Sequence, residues 1–381
     1  MKIAILTLPL HTNYGGILQA YALQKTLSKM GHKVVVLDKA RKPIFEKYPF
    51  HIHLKRFIKK YILFQDIPPL PDISRYKLAQ KQNKYTWKFA DKYIHRKEYR
   101  DFVEIKESDF DAIIVGSDQV WRPRYFPKHI SNAFLSFAKE WNIRRIAYAP
   151  SFGTDNWEYT EEETAICKEL IKLFSFVSVR EISGIELLKN KLNYPSAKLG
   201  IDPCILLTKE EYITLFKKKH CTSSKGNLLT YIIDTTPEKQ LFIDRLAIEK
   251  RLKPFKVNSN IESATATLKE RKCTQPAVEK WIRGFYDAEY VITDSFHACI
   301  FSIIFGKPFL VIGNKERGLA RFTSLLELFN LKDRLIINLN EFSTAKIHSN
   351  VKIAQLLLDN YRKLGYDFLF KALNNNDFHQ E

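Results

Sequence analysis

The stretch from Tyr290 to Gly313, YVITDSFHACIFSIIFGKPFLVIG, constrains the fold of this chain more than any other. Its first run, Tyr290-Val291-Ile292-Thr293, is β-branched and apolar, as a strand buried on both faces is. Asp294 and Ser295 sit where a helix is capped. Ala298 to Phe305 reads as an apolar helix too short to cross a membrane, stopped by Gly306. Pro308 to Ile312 begins a second buried strand. A helix that starts at the carboxyl end of a parallel strand presents free N–H groups to anions. His297 lies in that first helical turn, either as a catalytic group or as a satisfied buried histidine.

The same pattern recurs from the N-terminus. Lys2 to Leu8 reads as a buried strand rather than a signal peptide. The loop Pro9 to Gly16, a helix from Ile17 to Met30 and a strand from Val34 to Asp38 complete a βαβ unit. Gly15-Gly16 is not a G-x-G-x-x-G fingerprint, but the pair lets backbone N–H groups approach a ligand, unless it is a plain tight turn. Phe110 to Val115 is a strand that runs into Gly116-Ser117-Asp118-Gln119-Val120-Trp121. There Asp118 is placed to accept from a sugar hydroxyl and Trp121 to stack on a sugar face; an Asx turn beside a core tryptophan is the alternative. Strand 176–179 ends in Arg180, whose guanidinium fits a forked contact with phosphate or carboxylate, or an ion pair with Glu181 or another acid. Ser183 is expected to cap the helix 184–191, and Asp202-Pro203 marks a turn out of this half.

Past Leu207 the alternation resumes, with helix 209–219, strand 227–233, helix 237–252, strand 255–257 and helix 277–288 leading into the opening stretch. A cationic loop from Asn314 to Phe322, a helix 323–329, a helix 351–369 and a polar tail follow. A chain of 381 residues exceeds one ordinary core, and 45% hydrophobic with 13% aromatic residues is globular composition. The expected fold class is therefore α/β, with two Rossmann-like domains, 1–206 and 207–350, facing a cleft, and a terminal helix and tail over 351–381.

The net charge of +19 is uneven, since residues 41–100 hold 16 Lys and Arg against 5 Asp and Glu. Within them Phe50 to Phe64 reads as a basic amphipathic helix, suited to an anionic membrane surface or simply solvated. No zinc-finger, RNP or arginine-rich pattern appears, so no nucleic-acid partner is expected. Five scattered cysteines without C-x-x-C spacing favour a reducing cytoplasm over a zinc site or a disulfide framework.

Five blocks follow one another over about residues 1 to 340: ILTLPLHTNYGGILQAYALQ, VGSDQVW, SVREISG, VITDSFHACIFSIIFGKPF and NKERGLARF. In that order they resemble the polysaccharide pyruvyl transferases. The resemblance implies a GT-B-like fold, no metal and no cofactor. It also implies transfer of a pyruvyl group from phosphoenolpyruvate to two hydroxyls of a sugar as a cyclic ketal, in exopolysaccharide or capsule biosynthesis. Members of the family carry an Arg-Leu-His triplet that contacts phosphoenolpyruvate, and it aligns with Ser295-Phe296-His297. The histidine is kept as the expected general acid, and the arginine is replaced. Arg317, Arg321 and Lys307 are the candidate replacements, and Arg180 looks like the family's donor-binding arginine from the first domain. Asn13, Gly15, Gly16, Gln19, Ser117, Asp118 and Trp121 then fall on the acceptor side. The acceptor is expected to be linked to a lipid diphosphate, which gives residues 50–64 a partner at the inner membrane face and makes the protein cytoplasmic and peripheral. The rival expectations are a GT-B glycosyltransferase using a nucleotide sugar, and a non-catalytic carbohydrate- or membrane-binding homologue.

Overall fold

The computed structural model of the protein describes residues 1–42, 54–55, 57–62, 71–126, 129–259, 274–314, 318–340, 342 and 348–375. Short apolar strands alternate with longer helices, so successive strands pair in parallel through crossovers. In the first domain these are β1 (Lys2–Leu6), α1 (Tyr14–Lys29), β2 (Lys33–Lys39), α2 (Pro71–Gln82), α3 (Lys84–Tyr93), β3 (Arg96–Tyr99) and β4 (Ala112–Val115). They continue with β5 (Arg144–Ala147), α4 (Glu161–Ile171), β6 (Phe176–Val179), α5 (Ile182–Leu192) and β7 (Lys198–Leu199). The strands form one parallel sheet in the order β3-β2-β1-β4-β5-β6-β7. The strand order reverses between β1 and β4, which are paired from Ile3–Ala112 to Leu6–Val115, and that reversal opens a crevice at their carboxyl ends.

The second domain repeats the device. It contains α6 (Lys209–Lys217), β8 (Leu228–Tyr231), α7 (Pro237–Glu249), β9 (Pro254–Phe255), α8 (Val278–Asp287), β10 (Tyr290–Thr293), α9 (Phe296–Phe305), β11 (Phe309–Ile312), α10 (Ala320–Leu328) and β12 (Leu335–Ile336). Its parallel sheet runs β12-β11-β10-β8-β9, so its reversal lies between β8 and β10. All ten residues of α9 are buried, and Gly306 ends the helix at φ 65°. The arrangement is that of two Rossmann-like domains facing a cleft.

The domains share a core. One apolar cluster runs from Ile3 and Tyr14 through Trp281 to Phe301. Tyr14 stacks on Trp281 with ring centroids 5.5 Å apart, and its hydroxyl donates to the Pro276 carbonyl at 2.8 Å. The last helix, α11 (Val351–Asn374), returns to the first domain. Phe368 packs on Tyr148, Arg362 Nε donates to the Ile205 carbonyl at 3.1 Å, and Arg144 donates to the Leu373 carbonyl.

One strand joins those expected from the sequence, and two capping expectations change. β3 carries Arg96, Lys97 and Glu98 at the sheet edge, so no apolar run announces it. Ser183 does not cap α5, which begins at Ile182 behind Glu181, two residues before the expected start, and the Ser183 hydroxyl has no partner among the described residues. Asp294 does not cap α9; its carboxylate accepts from the Ile233 and Asp234 backbone N–H groups and from Lys239 Nζ at 2.7 Å, tying β8's loop to β10. The amphipathic helix expected over 50–64 lies largely outside the described residues, within which Ile58–Ile62 forms a π-helical turn. No described helix is long and apolar enough to cross a membrane.

Candidate active site

The two strand-order reversals meet at one cavity of about 390 Å³. The first domain contributes Leu8, Pro9, His11, Asn13 and Gly16 after β1, and Asp118 and Gln119 after β4. The second contributes Tyr231 at the end of β8 and Ile233 after it, then Asp294, Ser295, Phe296 and His297 after β10, with Asn314, Arg321 and Phe322 closing the wall.

At the first-domain side, Asn13 is the N-cap of α1. Its Oδ1 accepts from Gly16 N at 3.1 Å, while its Nδ2 donates to Asp118 Oδ2 at 3.2 Å. Asp118 adopts φ 68° just past Gly116 at φ 127°, where a β-carbon would lie 2.2 Å from the Tyr148 carbonyl oxygen. That backbone aims the Asp118 carboxylate into the cavity. Gln19 and Ser117 brace it from behind: Gln19 Oε1 accepts from Ser117 N at 2.9 Å, and Ser117 Oγ donates to the Ala149 carbonyl at 2.6 Å. Both are buried and committed to the protein, so they position the loop instead of contacting an acceptor. Trp121 is 0% exposed, stacked 4.7 Å from Phe134 with its Nε1 donating to Ala133. It belongs to the core and has no face to offer a sugar.

Arg180 joins the carboxylates. Its Nη1 donates to Asp202 Oδ2 at 2.7 Å and its Nη2 to Asp118 Oδ1 at 3.2 Å, all three side chains being buried. Glu181 is not its partner. Glu181 Oε1 accepts from Ser151 Oγ and from the Phe152 and Gly153 N–H groups, and burial pushes its carboxyl up against the opposing charge of Arg180. Burial also acts to raise Asp118 and Asp202, but the charges of His297 and Arg180 outweigh it and hold both carboxyls below the ordinary range.

His297 reaches across from α9. Its Nε2 lies 3.4 Å from Asp202 Oδ2, close enough for charge pairing, yet it has no hydrogen-bond partner among the described residues. Asp202 was legible only as a turn residue, and it does serve the turn through Oδ1, which accepts from Cys204 N at 2.9 Å. Its second oxygen lies between Arg180 of the first domain and His297 of the second. Asp202, Cys204 and His297 each place one potential ligand atom within 4.8 Å of the others. In this arrangement Arg180 donates to Asp202 Oδ2, and burial pushes the Cys204 thiol up.

Ser295 is the N-cap of α9, and its side chain makes no capping bond. Phe296 carries two guanidinium groups near its ring, Arg180 at 4.4 Å and Arg321 at 5.7 Å from the centroid. Arg321 is 8% exposed, and its Nε has no partner among the described residues. Burial and the neighbouring charge of Arg180 bring Arg321 down to about 10, where it remains a cation. Lys307 lies beyond the far end of α9, ten residues or ~15 Å from its start, and donates to the Tyr286 carbonyl at 2.9 Å. It is removed from the cavity. Arg317 falls outside the described residues.

A model of the family described as polysaccharide pyruvyl transferase matches residues 13–316. No curated protein sequence matches the chain significantly. Among solved structures, UDP-GlcNAc 2-epimerase from Neisseria meningitidis bound to UDP-GlcNAc is 11% identical, with a TM-score of 0.45 over 97% of this chain and 100% of that one. The E. coli heptosyltransferase WaaC with ADP is 11% identical, with a TM-score of 0.36 over 82% of this chain and 87% of that one. With its motif blocks in family order and a family match running from residue 13 to residue 316, the chain belongs to the polysaccharide pyruvyl transferase family.

Proposed function

We propose that the protein transfers a pyruvyl group from phosphoenolpyruvate to a saccharide, forming a cyclic ketal and releasing phosphate. The observation that carries this reading is Arg321, a buried cation on the cavity wall with no acid paired to it among the described residues, beside the start of α9. The donor has a phosphate and a carboxylate, and an unpaired guanidinium next to a helix N-terminus suits both. Arg321 thus supplies the cation that Ser295 does not. Arg180, neutralised by Asp118 and Asp202, orients the neighbouring anion and the Phe296 ring.

The reaction begins when His297, as imidazolium, gives its Nε2 proton to the methylene carbon of the donor, which becomes a methyl group. The adjacent carbon becomes oxocarbenium-like. One sugar hydroxyl, held by Asn13 and Asp118, adds to it and returns its proton to His297. A second hydroxyl then attacks the same carbon, the bond to phosphate breaks, and the proton leaves with phosphate. General acid catalysis of this kind contributes about 10²–10⁴-fold. Asp202 keeps a negative charge beside the imidazolium throughout.

The proposed acceptor is linked to a lipid diphosphate, with the protein working at the cytoplasmic membrane face. The excess of basic residues over 41–100 supports that placement. The test is release of inorganic phosphate from phosphoenolpyruvate in the presence of lipid-linked saccharide. Release should require the saccharide and be lost in His297→Gln. Release of a nucleotide from a nucleotide sugar instead would replace this reading by glycosyl transfer.

A further inference from the structure

The first domain holds a second cavity, of about 310 Å³, that the proposed reaction leaves unused. It opens at the carboxyl ends of β1, β2 and β3, the same edge of the sheet that carries the candidate active site. Pro9 lines both cavities, so the two are neighbours.

Its walls are of two kinds. Phe102 and Phe137 stack at 4.6 Å, with Tyr99 at 4.9 Å from Phe102, and Phe102 remains half-exposed. Burial and the charge of Asp38 push the Tyr99 phenol well above its ordinary range, so its hydroxyl stays neutral. Lys39 and Arg100 are exposed on the rim, and neither head group pairs with an acid among the described residues. The cavity wall also holds the carboxylate of Asp101, whose Oδ1 accepts from Val103 N at 3.2 Å, while nearby Lys97 is engaged by Asp109. A half-exposed aromatic ring matches the C–H face of a pyranose. Two unpaired cations at the rim, one of them able to fork, match an anion. A small-ligand pocket is typically of this size and mixed character.

We infer that this cavity is a distal acceptor subsite for an anionic sugar unit, seated on Phe102 with its anion between Lys39 and Arg100. The anion is either the carboxylate of a uronic acid or the phosphate of a sugar phosphate ester. The subsite takes its place in the reaction from the saccharide-acceptor reading above, but binding to it needs no turnover.

The experiment is calorimetric titration of the full chain, without phosphoenolpyruvate, with a glucuronate-containing disaccharide, glucose 1-phosphate and a neutral disaccharide. At least one acidic ligand should bind tenfold or more tightly than the neutral one, and the stronger of the two identifies the anion. Lys39→Ala/Arg100→Ala should abolish that preference. Both side chains are exposed and lie outside the candidate active site, so the fold is retained. Phe102→Leu, which keeps apolar packing, should weaken acidic and neutral ligands alike. Equal affinity for acidic and neutral ligands, or an unchanged preference in the double variant, overturns the subsite. Retained acidic preference in a protein that forms no ketal contradicts the proposed function alone, and ketal formation without acidic preference contradicts the subsite alone.

Discussion

The imidazole of His297 lies against the backbone of Gly15, so that a β-carbon at Gly15 would sit 2.1 Å from the ring's Cγ and Nδ1. A residue of the first domain's helix α1 therefore shapes the seat of a residue on the second domain's helix α9. No side chain other than hydrogen fits there without moving the ring.

Gly15→Ala should therefore displace His297 without unfolding the protein. A displacement of about 1 Å at a reacting group costs on the order of 10²-fold in rate. Turnover should fall by roughly that factor while the thermal midpoint changes little. Wild-type turnover in this variant would mean that the ring position is irrelevant to the chemistry.

Asp202→Asn removes the charge that Arg180 and His297 share. Because the folded-state carboxyl is held below its unfolded value of about 3.9, its contribution is complete above that value and is lost as pH falls through the lower folded value. The variant should be less stable than wild type at pH 7, and the gap should narrow once the pH drops below about 4. Urea unfolding across that range measures it; a gap that widens on acidification would show the sign to be wrong.

Arg321→Gln removes the cation assigned to the donor. A hydrogen bond to a charged group is worth about 1.5–3 kcal/mol, so the apparent affinity for phosphoenolpyruvate should fall about 10- to 100-fold. The acceptor's KM should stay near wild type. Equal losses for donor and acceptor would place Arg321 in a structural role.

Tyr14→Phe deletes the hydroxyl that joins the domains through Pro276 and Gln275. The expected cost is about 1 kcal/mol in denaturant unfolding, with the stacking on Trp281 retained. An unchanged midpoint would show that the ring contact alone holds this junction.

Much of the fold was legible because buried parallel strands carry apolar runs such as Val34–Leu37 and Val291–Ile292 and glycines punctuate the helices. The edge strand β3 was not, because three of its four residues, Arg96, Lys97 and Glu98, are charged. Within the site, Asn13, Asp118, Arg180, Phe296 and His297 stand out as polar or aromatic residues just past strand ends, and the structure gathers them at one cleft. Asp202 was hidden because Asp-Pro already explains itself as a turn; only three-dimensional proximity reveals its second oxygen on His297. Trp121 and Lys307 misled for the opposite reason. Their chemistry suits a ligand, but burial places one in the core and helix length carries the other away.

The most direct measurement is mass spectrometry of a lipid-linked saccharide incubated with the protein and phosphoenolpyruvate. One pyruvyl ketal per modified sugar should form in step with inorganic phosphate and be absent with His297→Gln. Ketal formation at an undiminished rate by that variant, or phosphoenolpyruvate left intact by the wild-type protein in the presence of the saccharide, would contradict the proposed transfer.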